Sequence, residues 1–309
     1  MKQRILITGG SGLLGGNLTK IMSSFFEVHT TYYSNSFEMD GIETHYLDIK
    51  NREEVFNIIR KIQPKIIIHT AAMTQISFCE KLPELTYEVN VMGTQNICDA
   101  AKEINSKIIY ISTDHVFNGK LGYYAEYDIP NPITVYGKTK LLGEQVVQDS
   151  KLKYNIIRTF FYGLDLVNRS KYNFIVKILS NLENGRQIKG YKDIFFTPVF
   201  VNNLIEGIIE LCYRNIDGIF NLAGSERISH FGFLKKVAEV FKLNPELIIE
   251  DRASNYNWSK LRGPDLSLGI HKSLVNLKSK LLDIESGLEF MKKTYNKNLL
   301  DKKNPLIYI

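Results

Sequence analysis

The glycine-rich segment at residues 8–15 (TGGSGLLG) constrains the fold of this chain more than any other part of the sequence. It follows an apolar run at residues 4–8, which is typical of a buried β-strand, and it precedes a helical pattern. Gly9, Gly12 and Gly15 have the spacing of a turn that lets the backbone approach a pyrophosphate closely. Free N–H groups at the start of the following helix attract the same anion. The segment therefore predicts a dinucleotide-binding strand–turn–helix unit.

Strand and helix patterns continue to alternate along the first half of the chain. Further strands are predicted at residues 28–33, 45–49, 65–70 and 107–112, and helices at 13–25, 55–62 and 84–103. Strands that are nearly continuous apolar runs, separated by helices, are typical of a parallel sheet covered on both faces. Right-handed crossovers then give a doubly wound sheet. We therefore predict an α/β protein with a Rossmann fold.

The regular alternation loosens after about residue 160. Strand-like pieces at 194–201 and 218–222 alternate with helical patterns at 174–184, 203–213 and 231–241. We predict an NAD(P)-binding Rossmann domain at residues 1–160. Residues 161–309 are expected to form mainly a smaller, split α/β substrate-binding region, with some segments returning to the first domain.

Composition excludes several classes of protein. The 309 residues are 44% hydrophobic and 23% charged, which is ordinary for a globular chain. No apolar run approaches the roughly 20 residues of a membrane helix, and no signal peptide is visible. The net charge of +6 is mild and spread out, which does not indicate nucleic-acid binding. Three scattered cysteines, and no cluster with metal-ligand spacing, predict a reduced cytoplasmic protein without a metal site.

The second predicted strand ends at residues 30–34 (TTYYS), near the position that often distinguishes NAD from NADP. An acidic residue would bind the ribose hydroxyls of NAD, and an arginine would bind the extra phosphate of NADP. The segment contains neither. Both cofactors stay open, and NADPH is slightly favoured because no carboxylate there would repel its phosphate.

A Tyr-x-x-x-Lys spacing occurs three times, beginning at Tyr46, Tyr136 and Tyr256. Only Tyr136 opens a helical pattern, which places its phenol and the Lys140 ammonium on one helix face. An ammonium about 4 Å away would lower the tyrosine pKa, ordinarily about 10, by up to about three pH units. We therefore expect Lys140 to make Tyr136 a general acid at neutral pH. Thr113 follows the fifth predicted strand and is expected to hold the same substrate oxygen.

These segments resemble the extended short-chain dehydrogenases/reductases, through the glycine turn, residues 112–119 (STDHVFNG) and residues 136–140 (YGKTK). Within that group the chain is similar to the dTDP-4-dehydrorhamnose reductase family. The narrower resemblance is carried by residues 71–74 (AAMT), 124–132 (YAEYDIPNP), 223–227 (AGSER) and 262–268 (RGPDLSL), with Lys272. It covers nearly the whole chain, to about residue 290.

The resemblance implies an enzyme of nucleotide-sugar and surface polysaccharide biosynthesis. Hydride would pass from NAD(P)H to C4 of a nucleotide-linked 4-keto-6-deoxy sugar while Tyr136 delivers a proton. The implied catalytic residues are Thr113, Tyr136 and Lys140, and the implied substrate-binding residues are Thr74, Thr113, Asp114 and Arg262. The implied cofactor-binding residues are Gly9, Gly12, Leu13, Leu14, Gly15, Tyr32, Asp48, Ile49, Ala71, Ala72, Asn90, Tyr136 and Lys140. A homodimer is also implied, with the 85–101 helix and the helix after Tyr136 facing the partner.

Three departures from the family pattern concern the substrate. Ser77 stands where the family often has an acid, and residues 158–161 (RTFF) replace a stretch that bears tryptophan. Residues 262–264 (RGP) replace an Arg-Arg-Pro sequence. All three touch the expected sugar or nucleotide region, so they affect the identity of the substrate and leave the type of reaction unchanged.

Three alternatives share these motifs. Sugar-nucleotide 4,6-dehydratases resemble this chain, but they carry a glutamate at the position of His115. Because elimination of water uses that carboxylate, a dehydratase is less favoured. A sugar-nucleotide 4-epimerase would use the same tyrosine and lysine and stays open. The third alternative is a non-catalytic subunit. The regulatory subunit of methionine adenosyltransferase resembles the same family and keeps much of the trio that corresponds to Thr113, Tyr136 and Lys140. Arg262 and Asp265, on the expected substrate side, favour an enzyme over such a regulator.

Overall fold

The computed structural model describes residues 2–167 and 174–300, with side chains up to residue 294. Its central sheet consists of seven parallel strands. From one edge to the other the strands are β11 (Gly218–Asn221), β6 (Tyr154–Arg158), β5 (Lys107–Ile111), β4 (Ile66–His69), β1 (Arg4–Thr8), β2 (Glu27–Tyr32) and β3 (Glu43–Tyr46). Helices follow most of these strands, and the predicted doubly wound α/β fold is confirmed.

Helices cover both faces of the sheet and build much of the C-terminal half. They are α1 (Leu13–Met22), α2 (Arg52–Ile62), α3 (Ile76–Lys81), α4 (Pro83–Tyr87), α5 (Gly93–Glu103), α6 (Val135–Asp149), α7 (Phe174–Glu183), α8 (Val201–Tyr213), α9 (His230–Phe241), α10 (His271–Asn276) and α11 (Ile284–Leu300). A π-helical turn (Glu88–Met92) joins α4 to α5, which confirms the long helix predicted there. Within the described residues, no helix is long and apolar enough to cross a membrane.

Alternate side chains of the strands fill two cores, one on each face of the sheet. Ile5 and Ile7 of β1 belong to one core with residues of α1 and α8, whereas Leu6 belongs to the other with residues of α2 and α5. Successive residues of a strand point to opposite faces. Burial on both faces explains why the strands are almost entirely apolar.

The strand order places a crevice at the middle of the sheet. The chain runs from β1 to β2 and β3 on one side, and then from β4 to β5 and β6 on the other. Ligands of open α/β sheets bind at the carboxyl ends of strands where the order reverses in this way. The loops after β1 and β4 meet there, since a Cβ on Gly9 would lie 2.8 Å from the Ala71 nitrogen.

The C-terminal half adds short strand pairs and returns to the sheet. The pairs are β7 (Phe161–Tyr162) with β10 (Val199–Phe200), β9 (Phe195–Phe196) with β12 (Ile228–Ser229), and β8 (Ile188–Tyr191) with β13 (Ile248–Asp251). Strand β11 joins the central sheet beside β6, and α8 packs against α1. The segment that carries Arg262 also crosses to the first half, because the Asp265 nitrogen donates to the Gly119 oxygen over 3.0 Å. A domain boundary at residue 160 stays a prediction.

The third strand was predicted two residues too late. It spans Glu43–Tyr46 because parallel pairing with β2 sets its start, with His29 opposite Glu43 and Tyr32 opposite Tyr46. The apolar residues Leu47 and Ile49, which suggested a later strand, are buried in the core beyond its end.

Candidate active site

A cleft of about 710 Å³ opens at the carboxyl ends of strands β1 to β6. Most of the predicted site residues line it, namely Gly9, Gly12, Leu13, Leu14, Gly15, Tyr32, Asp48, Ile49, Ala71, Ala72, Thr74, Thr113, Tyr136, Lys140 and Arg262. Asn90 and Asp114 do not line the cleft and are buried behind its wall. The fold therefore brings together residues that are far apart in the sequence.

The glycines of the first turn meet two different requirements. Gly9 has φ +74°, which disfavours any side chain, and a Cβ on Gly15 would lie 2.2 Å from the Gly9 oxygen. Gly12 has an ordinary extended conformation, with φ −84° and ψ 167°. A Cβ on Gly12 would approach only the Gly9 oxygen, at 3.3 Å. The fold therefore requires glycine at positions 9 and 15, whereas glycine at position 12 keeps the cleft open.

The start of α1 fits the diphosphate of a dinucleotide. Gly12 precedes the helix and offers no side chain to cap its first N–H groups, and the first turn contains no acidic residue. Uncapped N–H groups at a helix N-terminus, with the positive end of the helix dipole, attract phosphate. Together with the space above Gly12, this arrangement is suited to an NAD(P) cofactor.

Replacing Gly12 by alanine is expected to weaken NADPH binding at least about tenfold, or about 1.4 kcal/mol. The added methyl group would occupy the cleft beside the helix terminus, while alanine readily adopts the backbone conformation found there. Fluorescence titration with NADPH and thermal unfolding measure the two effects. Gly15→Ala is the matched comparison, and it should destabilise the fold itself. Unchanged NADPH affinity in Gly12→Ala would contradict the placement of the cofactor.

Lys50, which was not among the predicted site residues, adds a cation to the part of the cleft that Asp48 lines. Lys50 lines the cleft beside Asp48, with Lys50 Nζ 3.7 Å from Asp48 Oδ2. The Lys50 backbone N–H also donates to Asp48 Oδ1 over 3.0 Å. The Asp48 charge is thus largely compensated, and residues 31–35 add only uncharged side chains to this end of the cleft.

The start of α6 positions Tyr136 against the turn that follows β5. The Thr134 hydroxyl caps α6 by accepting a hydrogen bond from the Gly137 nitrogen over 2.9 Å. A Cβ on Gly137 would lie 2.2 Å from the His115 oxygen, so glycine is needed for the close approach of helix and turn. Tyr136 is consequently packed beside Thr113 and within 5.8 Å, ring centre to ring centre, of His115.

The expected effect of Lys140 on Tyr136 is wrong. Burial raises the pKa of Tyr136 well above its usual value, the interaction with Thr113 opposes this, and the Asp114 charge adds to it. Burial also lowers the pKa of Lys140 to about 7, against the opposing effect of Glu144. Lys140 Nζ lies 3.9 Å from the centre of the Tyr110 ring, where it is only partly charged near neutral pH. Tyr136 therefore keeps its proton at neutral pH.

Asn90 supports the cleft from behind. Its Oδ1 accepts a hydrogen bond from the Met73 nitrogen over 2.8 Å, and its Nδ2 donates to the Met73 oxygen over 3.0 Å. The same Nδ2 donates to Thr139 Oγ1 over 3.1 Å. Asn90 thus ties the loop after β4 to α6, so its role in this structure is to position the wall rather than to face a cofactor.

Asp114 and Arg262 form a second charged group behind and beside the cleft. Thr113 Oγ1 donates to Asp114 Oδ1 over 3.0 Å. Burial raises the pKa of Asp114 to about 7, although Arg262 and the Thr113 hydrogen bond oppose the rise. Arg262 lines the cleft, and its buried Nε has no hydrogen-bond partner among the described residues. The unsatisfied Nε is a suitable donor to an anionic or carbonyl oxygen of a ligand.

The variant Asp114→Asn is expected to gain stability, relative to the original chain, as pH rises from about 4 to about 7. The folded state holds the Asp114 proton up to a pKa of about 7, against an ordinary value of 3.8. Stability that comes from the neutral carboxyl is therefore lost as the pH rises through this window, at no more than about 1.4 kcal/mol per pH unit. Denaturant unfolding of both chains across the window measures it. A difference that does not change with pH would contradict the raised pKa.

A buried ion pair behind Thr113 was not predicted. Arg158 Nη2 lies 2.7 Å from Glu144 Oε2, and the two side chains are only 2% and 1% exposed. The Ser112 hydroxyl donates a short hydrogen bond to the same carboxylate. In the sequence, Arg158 is a charged residue that follows an apolar run. It was noted only as part of the departure from the family pattern at residues 158–161.

Several other residues that line the cleft were not among the predicted site residues. They are Ser11, Thr31, Tyr33, Ser34, Asn35, Leu47, Lys50, Thr70, Met73, Ile76, Leu85, Val89, Ile111, Ser112, His115, Thr159, Phe160 and Phe161. Most of them directly follow a strand, and that adjacency was the signal in the sequence. Thr159 is notable because its buried Oγ1 has no hydrogen-bond partner within the described part of the chain.

Comparison with known proteins adds a consistent set of similarities. The family model described as RmlD substrate binding domain matches residues 2–293. The dTDP-4-dehydrorhamnose reductase of Aggregatibacter actinomycetemcomitans is 33% identical over 242 residues, covering 74% of this chain and 76% of that protein. The crystal structure of dTDP-4-dehydrorhamnose reductase from Bacillus anthracis, in complex with NADP, is similar with a TM-score of 0.84 and 28% identity, covering 95% and 100% of the two chains.

A subunit of a methionine adenosyltransferase is also similar to this chain. Methionine adenosyltransferase 2 subunit beta of Rattus norvegicus is 27% identical over 248 residues, covering 78% of this chain and 73% of that protein. The share of this chain that is covered is comparable to that for the reductase. Overall similarity alone therefore does not distinguish a reductase from such a subunit, and the residues of the cleft have to do so.

Proposed function

This chain belongs to the RmlD substrate binding domain family, among the extended short-chain dehydrogenases/reductases, and from that membership we propose that it is an NAD(P)H-dependent reductase of a nucleotide-linked 4-keto-6-deoxy sugar. It is a dTDP-4-dehydrorhamnose reductase-like oxidoreductase of nucleotide-sugar biosynthesis. The observation that carries the proposal is the position of Thr113, Tyr136 and Lys140 in one cleft with the glycine turn.

Tyr136 is proposed to donate the proton to the substrate oxygen. Bound NAD(P)H supplies a hydride to C4 of the sugar. The raised pKa of Tyr136 keeps the phenol protonated, which a general acid requires before the reaction. Thr113 lies beside Tyr136 and orients the carbonyl oxygen toward it. Lys140, whose pKa is lowered to about 7 by burial, is proposed to contribute a hydrogen-bond donor to the ribose.

The sugar nucleotide is proposed to lie on the side of the cleft formed by Thr74, Arg262 and Thr159. These three side chains line the same cleft as the glycine turn that follows β1. The unsatisfied Arg262 Nε and Thr159 Oγ1 offer hydrogen bonds that a polar ligand would complete. Asp114 holds Thr113 from behind, so we propose a positioning role for it rather than contact with the sugar.

NADPH is proposed as the preferred cofactor, in line with the NADP bound by the similar reductase of Bacillus anthracis. Lys50 is paired with Asp48 at the end of the cleft where Tyr32 also lies, so the Asp48 carboxylate repels a phosphate less than a free one would. This pairing makes the end of the cleft compatible with the more negatively charged dinucleotide.

The cleft argues against a 4,6-dehydratase. No glutamate lines the cleft in the described part of the chain, and the carboxylate of Asp48 is paired at the cofactor end. His115, which stands in place of the dehydratase glutamate, is buried, and burial lowers its pKa to about 3. A neutral imidazole of this kind is a poor proton donor near neutral pH. The site lacks the additional acid that elimination of water requires.

We also propose a homodimer, formed through the helices beside the cleft. Phe78, Leu82, Tyr87, Met92 and Leu142 are apolar and exposed on α3, the α4 region and α6. Exposed apolar side chains that are grouped on neighbouring helices are typical of a protein interface.

A cytoplasmic location is proposed on different grounds, because Cys79, Cys98 and Cys212, all in the described part of the chain, are buried and free of disulfides.

The proposal is tested with tag-free protein, NADPH or NADH, and dTDP-4-keto-6-deoxyhexose. We expect loss of reduced-nicotinamide absorbance that requires the sugar nucleotide, and a product two mass units heavier than the substrate. A parallel assay with oxidised cofactor and a dTDP-hexose that keeps its 4- and 6-hydroxyl groups tests the rivals: interconversion of the C4 epimers without net cofactor consumption would indicate an epimerase, and loss of water would indicate a dehydratase. NADPH binding without turnover on dTDP-, UDP- or GDP-linked keto sugars, with stable binding to a methionine adenosyltransferase, would indicate a regulator.

A further inference from the structure

Two histidines and a glutamate come together on the outer strands of the sheet, away from the catalytic cleft. Parallel pairing sets His29 opposite Glu43, and His45 follows Glu43 by two positions on the same strand face. Their potential ligand atoms all lie within 4.8 Å of one another, and no other such group of three occurs among the described residues. None of the three lines the cleft. The arrangement therefore needs an explanation separate from the reductase site.

The nitrogen atoms that face the glutamate have no hydrogen bonds. His29 Nδ1 and His45 Nε2 are buried, and neither has a hydrogen-bond partner among the described residues. Glu43 Oε2 lies 3.6 Å from His29 Nδ1 and 3.7 Å from His45 Nε2, which is too long for a hydrogen bond in both cases. Leaving buried polar atoms unsatisfied is unfavourable, and two such nitrogens face the Glu43 carboxylate, whose side chain is 69% exposed. A cation bound between them would satisfy both nitrogens.

We propose that His29 Nδ1, His45 Nε2 and Glu43 Oε2 bind a Zn²⁺-type transition-metal ion. In a tetrahedral site with bonds of 2.0–2.1 Å, neighbouring ligand atoms are about 3.3 Å apart, close to the spacing found here. Two imidazoles and one carboxylate are a common donor set for zinc, with a fourth position left to solvent. Imidazole nitrogen disfavours Mg²⁺ and Ca²⁺, which prefer oxygen ligands.

The surroundings of the cluster suit such an ion. Glu27 Oε1 lies 3.6 Å from His29 Nε2, on the side of the ring away from the proposed metal, and Arg4 Nε donates to the same oxygen over 3.0 Å. A carboxylate behind a metal-binding histidine orients the ring and makes it a better ligand.

A bound metal would connect β3 to β2 at the edge of the sheet. Strand β3 contributes two of the proposed ligands and is the outermost strand on that side. The same two strands lead to Tyr32 and Asp48 at the cofactor end of the cleft. We therefore assign the metal a structural role, in which it holds the edge strand rather than taking part in the reaction.

Calorimetric titration of tag-free protein with Zn²⁺ tests the site. We expect one ion per chain, and a loss of affinity greater than about 100-fold in His45→Gln, which removes a ligand. Glu27→Gln removes the carboxylate 3.6 Å from His29 Nε2 and should weaken binding less than His45→Gln does. His271→Gln removes an exposed histidine elsewhere and should bind as the original chain does. Circular dichroism of each variant shows whether it is folded.

Co²⁺ provides a second measurement that needs no variant. Tetrahedral coordination by nitrogen and oxygen should give strong visible absorption bands when Co²⁺ is added to the original chain, and Zn²⁺ should abolish them. Equal Zn²⁺ affinity in His45→Gln and in the original chain would overturn the proposal. So would the lack of both Zn²⁺ binding and Co²⁺ bands, which would leave the cluster as a histidine–glutamate ion pair.

Discussion

Replacing Tyr136 by phenylalanine is expected to reduce kcat roughly 10²- to 10⁴-fold, the usual contribution of a general acid. The variant keeps the aromatic ring that packs beside His115, but it loses the phenol hydroxyl that interacts with Thr113. The fold and the glycine turn are untouched, so NADPH should still bind. Steady-state kinetics with a 4-keto-6-deoxy sugar nucleotide, together with NADPH titration, measure the two effects separately.

A matched control comes from the same sequence spacing elsewhere in the chain. Tyr46 also precedes a lysine by four residues, but it is exposed and does not line the cleft. Tyr46→Phe should leave kcat unchanged. A Tyr136→Phe variant that binds NADPH and turns over the sugar at the original rate would remove Tyr136 from the chemistry.

Replacing Arg158 by methionine is expected to lower the free energy of unfolding by about 3–5 kcal/mol, since it leaves a buried carboxylate without its partner. Glu144 receives two hydrogen bonds from Arg158, over 3.1 Å and 2.7 Å, and one from Ser112. This network joins α6 to the ends of β5 and β6. Because Thr113 directly follows Ser112, the variant should also reduce kcat in the fraction that remains folded.

Chemical denaturation of single and double variants tests the origin of this loss. The double variant Glu144→Leu/Arg158→Met removes both charges and should lose less stability than the two single variants do in sum. Arg60→Met is the surface control, because the Arg60–Glu103 pair is well exposed, and it should leave stability nearly unchanged. Equal stability of Arg158→Met and the original chain would show that the buried pair does not support the fold.

The parts of the site that were predictable depend on local backbone requirements. Gly9 and Gly15 are needed for the turn, and Gly137 for the approach of α6 to the turn after β5, so their positions are legible in the sequence. Tyr136 was selected among three equal spacings because it alone opens a helix. The doubly wound parallel sheet then follows from the alternation of strands and helices. These features are local, so a single sequence is enough to recognise them.

The features that were missed depend on packing between distant segments. Lys140 was expected to act on the Tyr136 phenol, but its ammonium lies over Tyr110 of β5, a contact that helix periodicity does not reveal. Glu144, the partner of Arg158, lies on α6 rather than on the same strand. The cluster of His29, Glu43 and His45 likewise combines residues of two strands. Burial, which shifts the pKa values at these positions, is known only once the chain is folded.

Hydride transfer is tested directly with NADPH that carries deuterium at the transferable position. We expect the product sugar nucleotide to gain one deuterium at C4, from one of the two faces of the nicotinamide only, and Tyr136→Phe to slow this transfer. Sugar that is converted without gaining deuterium at C4, or that gains it equally in Tyr136→Phe and the original chain, would contradict a reductase that uses Tyr136 as its acid.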